Sequence, residues 1–195
     1  MSTKKRVLKA MGPQLRDVVH ELEQDEIPHF FTGSRCWGVH TPDSDYDLCI
    51  NFDNYESVKK IICDYMKKAD RPAPRITFQG NDDTERLLNE RLHDAPINLK
   101  DSDFEHSSYG AGVKIDIGGD HLNIIRLLEG DFLFWLLSTN SMSNIANINP
   151  QKIVNKTLRH SIFENLRSIA KATITYEGWK LDEKVLLEKI KELGG

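Results

Sequence analysis

The chain has 195 residues and a mass of 22.4 kDa, 39% hydrophobic and 29% charged, which excludes a disordered chain and leaves one globular domain, or one with a helical appendage. A formal net charge of −4 excludes a global basic field for nucleic acid, though a local patch stays open. Cys36, Cys49 and Cys63 are an odd set with no C-x-x-C spacing, which excludes a disulfide framework or a cysteine zinc site and points to a reducing, cytoplasmic setting.

The opening "MSTKKRVLKAMGPQ" is basic but has no apolar core, so it does not read as a secretory signal. No stretch approaches the ~18 consecutive apolar residues of a membrane span. A helix is predicted over 13–25, with Pro13 at its first position and Leu15, Val18, Val19 and Leu22 on one stripe. "PHFFTG" reads as a short buried strand ending at Gly33. "DYDLCINF" alternates, with Tyr46, Leu48, Ile50 and Phe52 on the core face and Asp45, Asp47, Cys49 and Asn51 on the opposite face.

A second helix is predicted over about 53–69, opened by Asp53 with Glu56 and striped by Val58, Ile61, Ile62, Tyr65 and Met66. A short strand is expected at 75–79, a small helix at 84–93, and a polar loop at 94–110. "VKIDIGGDHLNIIRL" reads as a hairpin turning at Gly118-Gly119 or at Gly119-Asp120. In either register Lys114, Asp116, His121 and Asn123 share one face, and Ile115, Ile117, Leu122 and Ile124 the other. "GDFLFWLLST" is apolar nearly all round and should be buried. Asn149-Pro150 is expected to open a long helix with Val154, Leu158, Ile162, Leu166 and Ile169 inward, and a last helix to begin near Asp182. This order predicts an α+β fold with a helical C-terminal portion.

The chemistry-bearing stretch is "FFTGSRCWGVHTPDSDYDLCINF", residues 30–52. An EF-hand loop starting at Asp43 would need Gly and Glu where Leu48 and Asn54 stand, so calcium of that kind is excluded. Two carboxylates at i and i+2 of a strand point the same way and suit a hard divalent cation shared with phosphates, against the plainer reading of a solvated acidic turn. A strand ending in Gly33 lets backbone approach a phosphate, with the Ser34 hydroxyl, the following amides and Arg35 as donors. Arg35 reads equally as a surface residue. Trp37 reads as a core or rim residue, and the cations Lys152, Lys156, Arg159, Arg167 and Lys171 as a solvated helix face or a basic wall.

Gly33-Ser34, Gly38 and Ser44-Asp45-Tyr46-Asp47-Leu48 resemble the signature of the polymerase-β-like nucleotidyltransferases, most specifically over residues 30–50. The resemblance implies a short mixed sheet flanked by helices, as a core over 1–128 with a helical portion over 129–195. It implies transfer of a nucleoside monophosphate from an NTP to an acceptor (RNA, protein or small molecule), with release of pyrophosphate. Two magnesium ions roughly 4 Å apart would assist, held by Asp45, Asp47 and a third acid, while Gly33, Ser34, Arg35 and Asn123 bind the nucleotide. For that third place Asp116, in the expected apolar-Asp-apolar context, is preferred as catalytic and metal-holding acid, with Asn123 on the return arm as the other candidate. Should Asn123 hold it, a weak or inactive nucleotide- or partner-binding module, antitoxin-like, is the alternative.

Overall fold

Pro13 starts a helix where its missing N–H would have no partner in any case, and apolar side chains at Leu15, Val18, Val19 and Leu22 bury one face of it. In the computed structural model, which describes residues 3–68, 76–78, 112–127, 129–177, 188 and 190–192, this helix is α2 (Pro13–Gln24), preceded by α1 (Thr3–Ala10). There follow β1 (His29–Thr32), α3 (Gly33–Trp37), β2 (Tyr46–Asn51), a 3-10 turn (Phe52–Asn54), α4 (Tyr55–Lys68), β3 (Ile76–Phe78), β4 (Gly112–Ile117) and β5 (Asp120–Leu127). Then come α5 (Glu129–Ile148), a second 3-10 turn (Pro150–Ile153) and α6 (Lys156–Glu177). The arrangement is α+β, as expected.

The sheet is mixed, in the order β1-β2-β5-β4-β3. β2 and β5 are parallel, and every other neighbouring pair is antiparallel. Ile117 pairs with Asp120, so the hairpin turns on Gly118-Gly119. Both glycines have positive φ, 63° and 92°, the conformation a two-residue hairpin turn of this hand requires.

One sheet face carries Tyr46, Leu48, Ile50, Leu122 and Ile124, all buried, toward the α1/α2 and α4 side. The Tyr46 hydroxyl donates to the Ala10 carbonyl at 2.8 Å, and Arg126 lies over the Tyr55 ring of α4 at 4.2 Å. The other face is covered by α5: Phe132 meets Phe30 edge-on at 5.0 Å, and Thr139 Oγ1 shares a 2.7 Å hydrogen bond with Thr32 Oγ1. Helix α5 is then covered by α6 through Trp135 and Phe163, 5.0 Å apart. A helix between sheet and helix has little surface left for water, hence its apolar circumference.

One helix was not expected, and three expectations need correction. Helix α1 is not foreshadowed in the basic N-terminal sequence, yet it buries Val7 and donates from Arg6 Nη2 to the Cys36 carbonyl at 2.6 Å. Cys49 was assigned to the polar face of β2 but is fully buried, because α5 closes that face beyond Asp47. The helix expected from Pro150 begins at Lys156, since Asn155 Oδ1 accepts from the Leu158 N–H at 2.9 Å and caps it there. Of the residues expected inward, Ile162 and Leu166 pack against the core, while Val154, Leu158 and Ile169 are exposed at 54%, 49% and 63%, and Ile153, Phe163 and Ala170 are buried. The helix expected at 84–93 and the loop at 94–110 lie outside the described residues, as does most of the helix expected from Asp182.

Candidate active site

The turn from β1 into α3 is a glycine problem. Thr32 is extended and Gly33 has φ +75°, a left-handed conformation that disfavours any residue with a Cβ. A Cβ built there would also run into the Asp47 carboxylate, its Cγ only 2.8 Å away. Thr32 and Asp47 are direct partners in the antiparallel β1–β2 ladder, so the ladder itself sets the carboxylate against the glycine. The backbone turn and the second acid of D-x-D thus occupy one place.

Asp47 is also alongside Asn123 in the parallel β2–β5 ladder. Asn123 is 6% exposed, and its Nδ2 donates to Asp47 Oδ1 at 2.9 Å. Its Oδ1 is buried with no hydrogen-bond partner, an unsatisfied acceptor. Asp45 and Asp47 are both half-buried, and Asp45 immediately precedes β2. Tyr46 between them turns into the core, so the two acids leave the strand on the same side.

Arg35 is committed to the loop before the acids. Its Nε donates to the Ser44 carbonyl at 2.6 Å and its Nη2 to the Pro42 carbonyl at 3.1 Å, with the guanidinium 4.1 Å over the Tyr46 ring. Ser44 Oγ accepts from the Thr41 N–H at 2.9 Å, tightening the same loop. Ser34 is half-buried next to Gly33, and its carbonyl accepts from the Val39 N–H at 3.0 Å. Gly38 closes α3 in the left-handed region at φ +74°. Trp37 is a core residue whose Nε1 donates to the Thr139 carbonyl at 3.3 Å.

Asp116 stands apart from this group. It pairs with His121 on β4, so all of β5 separates it from β2. It is exposed, and its Oδ1 accepts from the Gly119 N–H at 3.0 Å, bracing the hairpin turn. Gly33, Asp47 and Asn123 are therefore in contact, with Ser34 and Asp45 beside them in the chain, while Arg35 is turned to the loop and Asp116 lies a strand further on.

Arg159 was read only as one member of a basic helix face. Burial lowers its guanidinium pKa, and the charge of Asp47 acts in the opposite direction. Its Nη1 donates to the Ile153 carbonyl at 3.1 Å, which anchors it to the turn before α6. The two residues are 112 positions apart in the chain, so no local pattern links them. Burial also pushes the Cys36 thiol up to about 12 and Cys49 well above its ordinary value; neither is a nucleophile here.

Carboxylate and amide oxygens are hard donors that suit magnesium shared with a polyphosphate. Among the described residues no group of three or more His, Cys, Asp or Glu converges to hold a metal by itself. The chain's own residues thus fit a cation completed by substrate oxygens, not a closed protein cage.

A short mixed sheet, with a strand–glycine–helix turn packed on a D-x-D strand, defines an α+β domain. The family model of the nucleotidyltransferase domain matches residues 13–101. That match is consistent with the polymerase-β-like nucleotidyltransferase superfamily that residues 30–50 resemble. No curated protein and no solved structure matches the chain.

Proposed function

We propose that the protein is a magnesium-dependent nucleotidyltransferase that moves a nucleoside monophosphate from an NTP to an acceptor. The observation that carries this reading is the contact of Gly33 with Asp47, which makes the phosphate-approach turn and the D-x-D strand one site. Residues 1–128 serve as the catalytic core, and 129–195 as the helical portion that covers its second face. Three free cysteines, with no disulfide formed, support a cytoplasmic location, and among the described residues no helix is long and apolar enough to cross a membrane.

In this reading an acceptor atom attacks the α-phosphorus, the bond to the β-bridging oxygen breaks, and pyrophosphate leaves as the acceptor proton passes to solvent. Gly33 and Ser34 receive the triphosphate, Asp45 and Asp47 would hold magnesium, and Asn123 fixes the Asp47 rotamer. Magnesium, when bound, would offset the charge building on the leaving oxygens. Positioning and charge stabilisation supply most of the acceleration in such reactions.

The test is to incubate the full chain with magnesium and α-labelled NTPs plus RNA, protein and metabolite fractions. Label should move to one fraction, and Asp45→Ala and Asp47→Ala should each abolish transfer. No transfer, with NTP binding untouched by either substitution, overturns the reading. The amide at Asn123 favours one alternative, an antitoxin-like module that binds nucleotide without turnover. Calorimetry separates the two, since tight NTP binding with no product supports the module and metal-dependent turnover removes it.

A further inference from the structure

A cation-bridged pair of carboxylates and a hydrogen-bonded amide–carboxylate pair are different devices. Two carboxylates at hydrogen-bond distance repel unless a cation or a proton lies between them. Beside Asp47 the partner is an amide: Asn123 Nδ2 donates to Asp47 Oδ1 at 2.9 Å, and the two residues are direct neighbours across the β2–β5 ladder. This contact is satisfied with nothing between the two groups.

Its polarity matters. The amide hydrogen, with its partial positive charge, occupies the side of Asp47 that faces β5. A second cation bridging Asp47 to an acid on β5 would have to stand there. Asn123 is only 6% exposed, and the Oδ1 of the same amide is buried with no hydrogen-bond partner. The formal charge of Asp45 with Asp47 balances one divalent cation. Asp116 does not add to it, because two strand spacings separate β4 from β2, roughly 10 Å, and its carboxylate braces Gly119.

We propose that this site takes a single divalent cation with the nucleotide, held by Asp45 and Asp47, and that Asn123 is the positioning residue that excludes a second. The proposal rests on the nucleotidyl-transfer reading of the same site and corrects the pair of ions that the family resemblance implies.

The experiment counts cations. The full chain, in excess over α,β-methylene ATP so that all nucleotide is protein-bound, is titrated with Mn2+, and the total Mn2+ bound per nucleotide is counted from the loss of the free paramagnetic signal. One Mn2+ per complex is expected for the wild type and two for Asn123→Asp, whose fold is checked by thermal melting. Two Mn2+ in the wild type overturns the proposal and leaves the nucleotidyl-transfer reading standing. None overturns both. A folded Asn123→Asp that stays at one removes the role given to Asn123. The wild-type count decides the cation number even if the variant does not fold.

Discussion

Gly33 and Asp47 share a space that admits no side chain between them. The glycine sits at φ +75°, and a Cβ on it would stand 2.8 Å from Asp47 Cγ. Gly38, five residues on, has nearly the same φ of +74° but nothing within 4 Å of its would-be Cβ. The pair separates backbone strain from steric exclusion. Gly33→Ala and Gly38→Ala should each lose about 1–2 kcal/mol to the left-handed conformation, read by urea denaturation. Only Gly33→Ala should also weaken magnesium–ATP binding, by tenfold or more in calorimetry, because Asp47 must move. Equal binding by the two variants would show that the contact is incidental.

Arg35 joins the loop to the strand that bears the acids, through two carbonyls and the Tyr46 ring. Removing it frees residues 42–44 and leaves the core intact. Arg35→Ala should therefore lower turnover several-fold while shifting stability by less than about 1 kcal/mol, since the group is partly exposed. A large stability loss with normal turnover would count against this role.

His29 gives the fold a pH dependence away from the acids. Its Nδ1 is 2.8 Å from the Ile27 carbonyl and so carries the proton, while Nε2 is buried without a hydrogen-bond partner. Burial lowers its pKa, the Ile27 hydrogen bond acting against this. The unfolded chain therefore binds a proton here before the folded one does. Stability is fully present above the unfolded value near 6.5 and is lost as pH falls through the lower folded value. The melting temperature should fall between pH 7.5 and 5.5, and His29→Gln should flatten that decline. Glu23 acts in a separate window: burial alone would raise its pKa, but Lys4 at 2.8 Å outweighs this and lowers it, so its contribution is lost only in stronger acid.

The three thiols should differ in reactivity. Burial pushes Cys36 up to about 12 and Cys49 well above its ordinary value, whereas Cys63 is half-buried on α4. A thiol-disulfide reagent at pH 8 should modify one cysteine in the native protein and three after denaturation. Fast modification of two in the native state would show that the α3–β2 packing opens.

Much of this was legible because its causes are local. Pro13, the Gly118-Gly119 turn and the i, i+2 parity of Asp45 and Asp47 need only backbone chemistry and the period of a strand. The apolar circumference of α5 likewise announced its burial. The start of α6 was not legible, because a cap at Asn155, not the proline five residues earlier, opens that helix.

What residues 30–50 determined by themselves was a pairing of types: a glycine turn and two co-facing acids on consecutive strands, chemistry suited to phosphate and a hard cation. Only the tertiary structure decided which residues meet. The parallel β2–β5 ladder brings Asn123, not Asp116, to Asp47, and helix α5 closes the polar face at Cys49. Both follow from strand order and packing between distant segments, since hydrophobic burial holds those contacts and a local pattern carries no record of which segment comes to lie beside which.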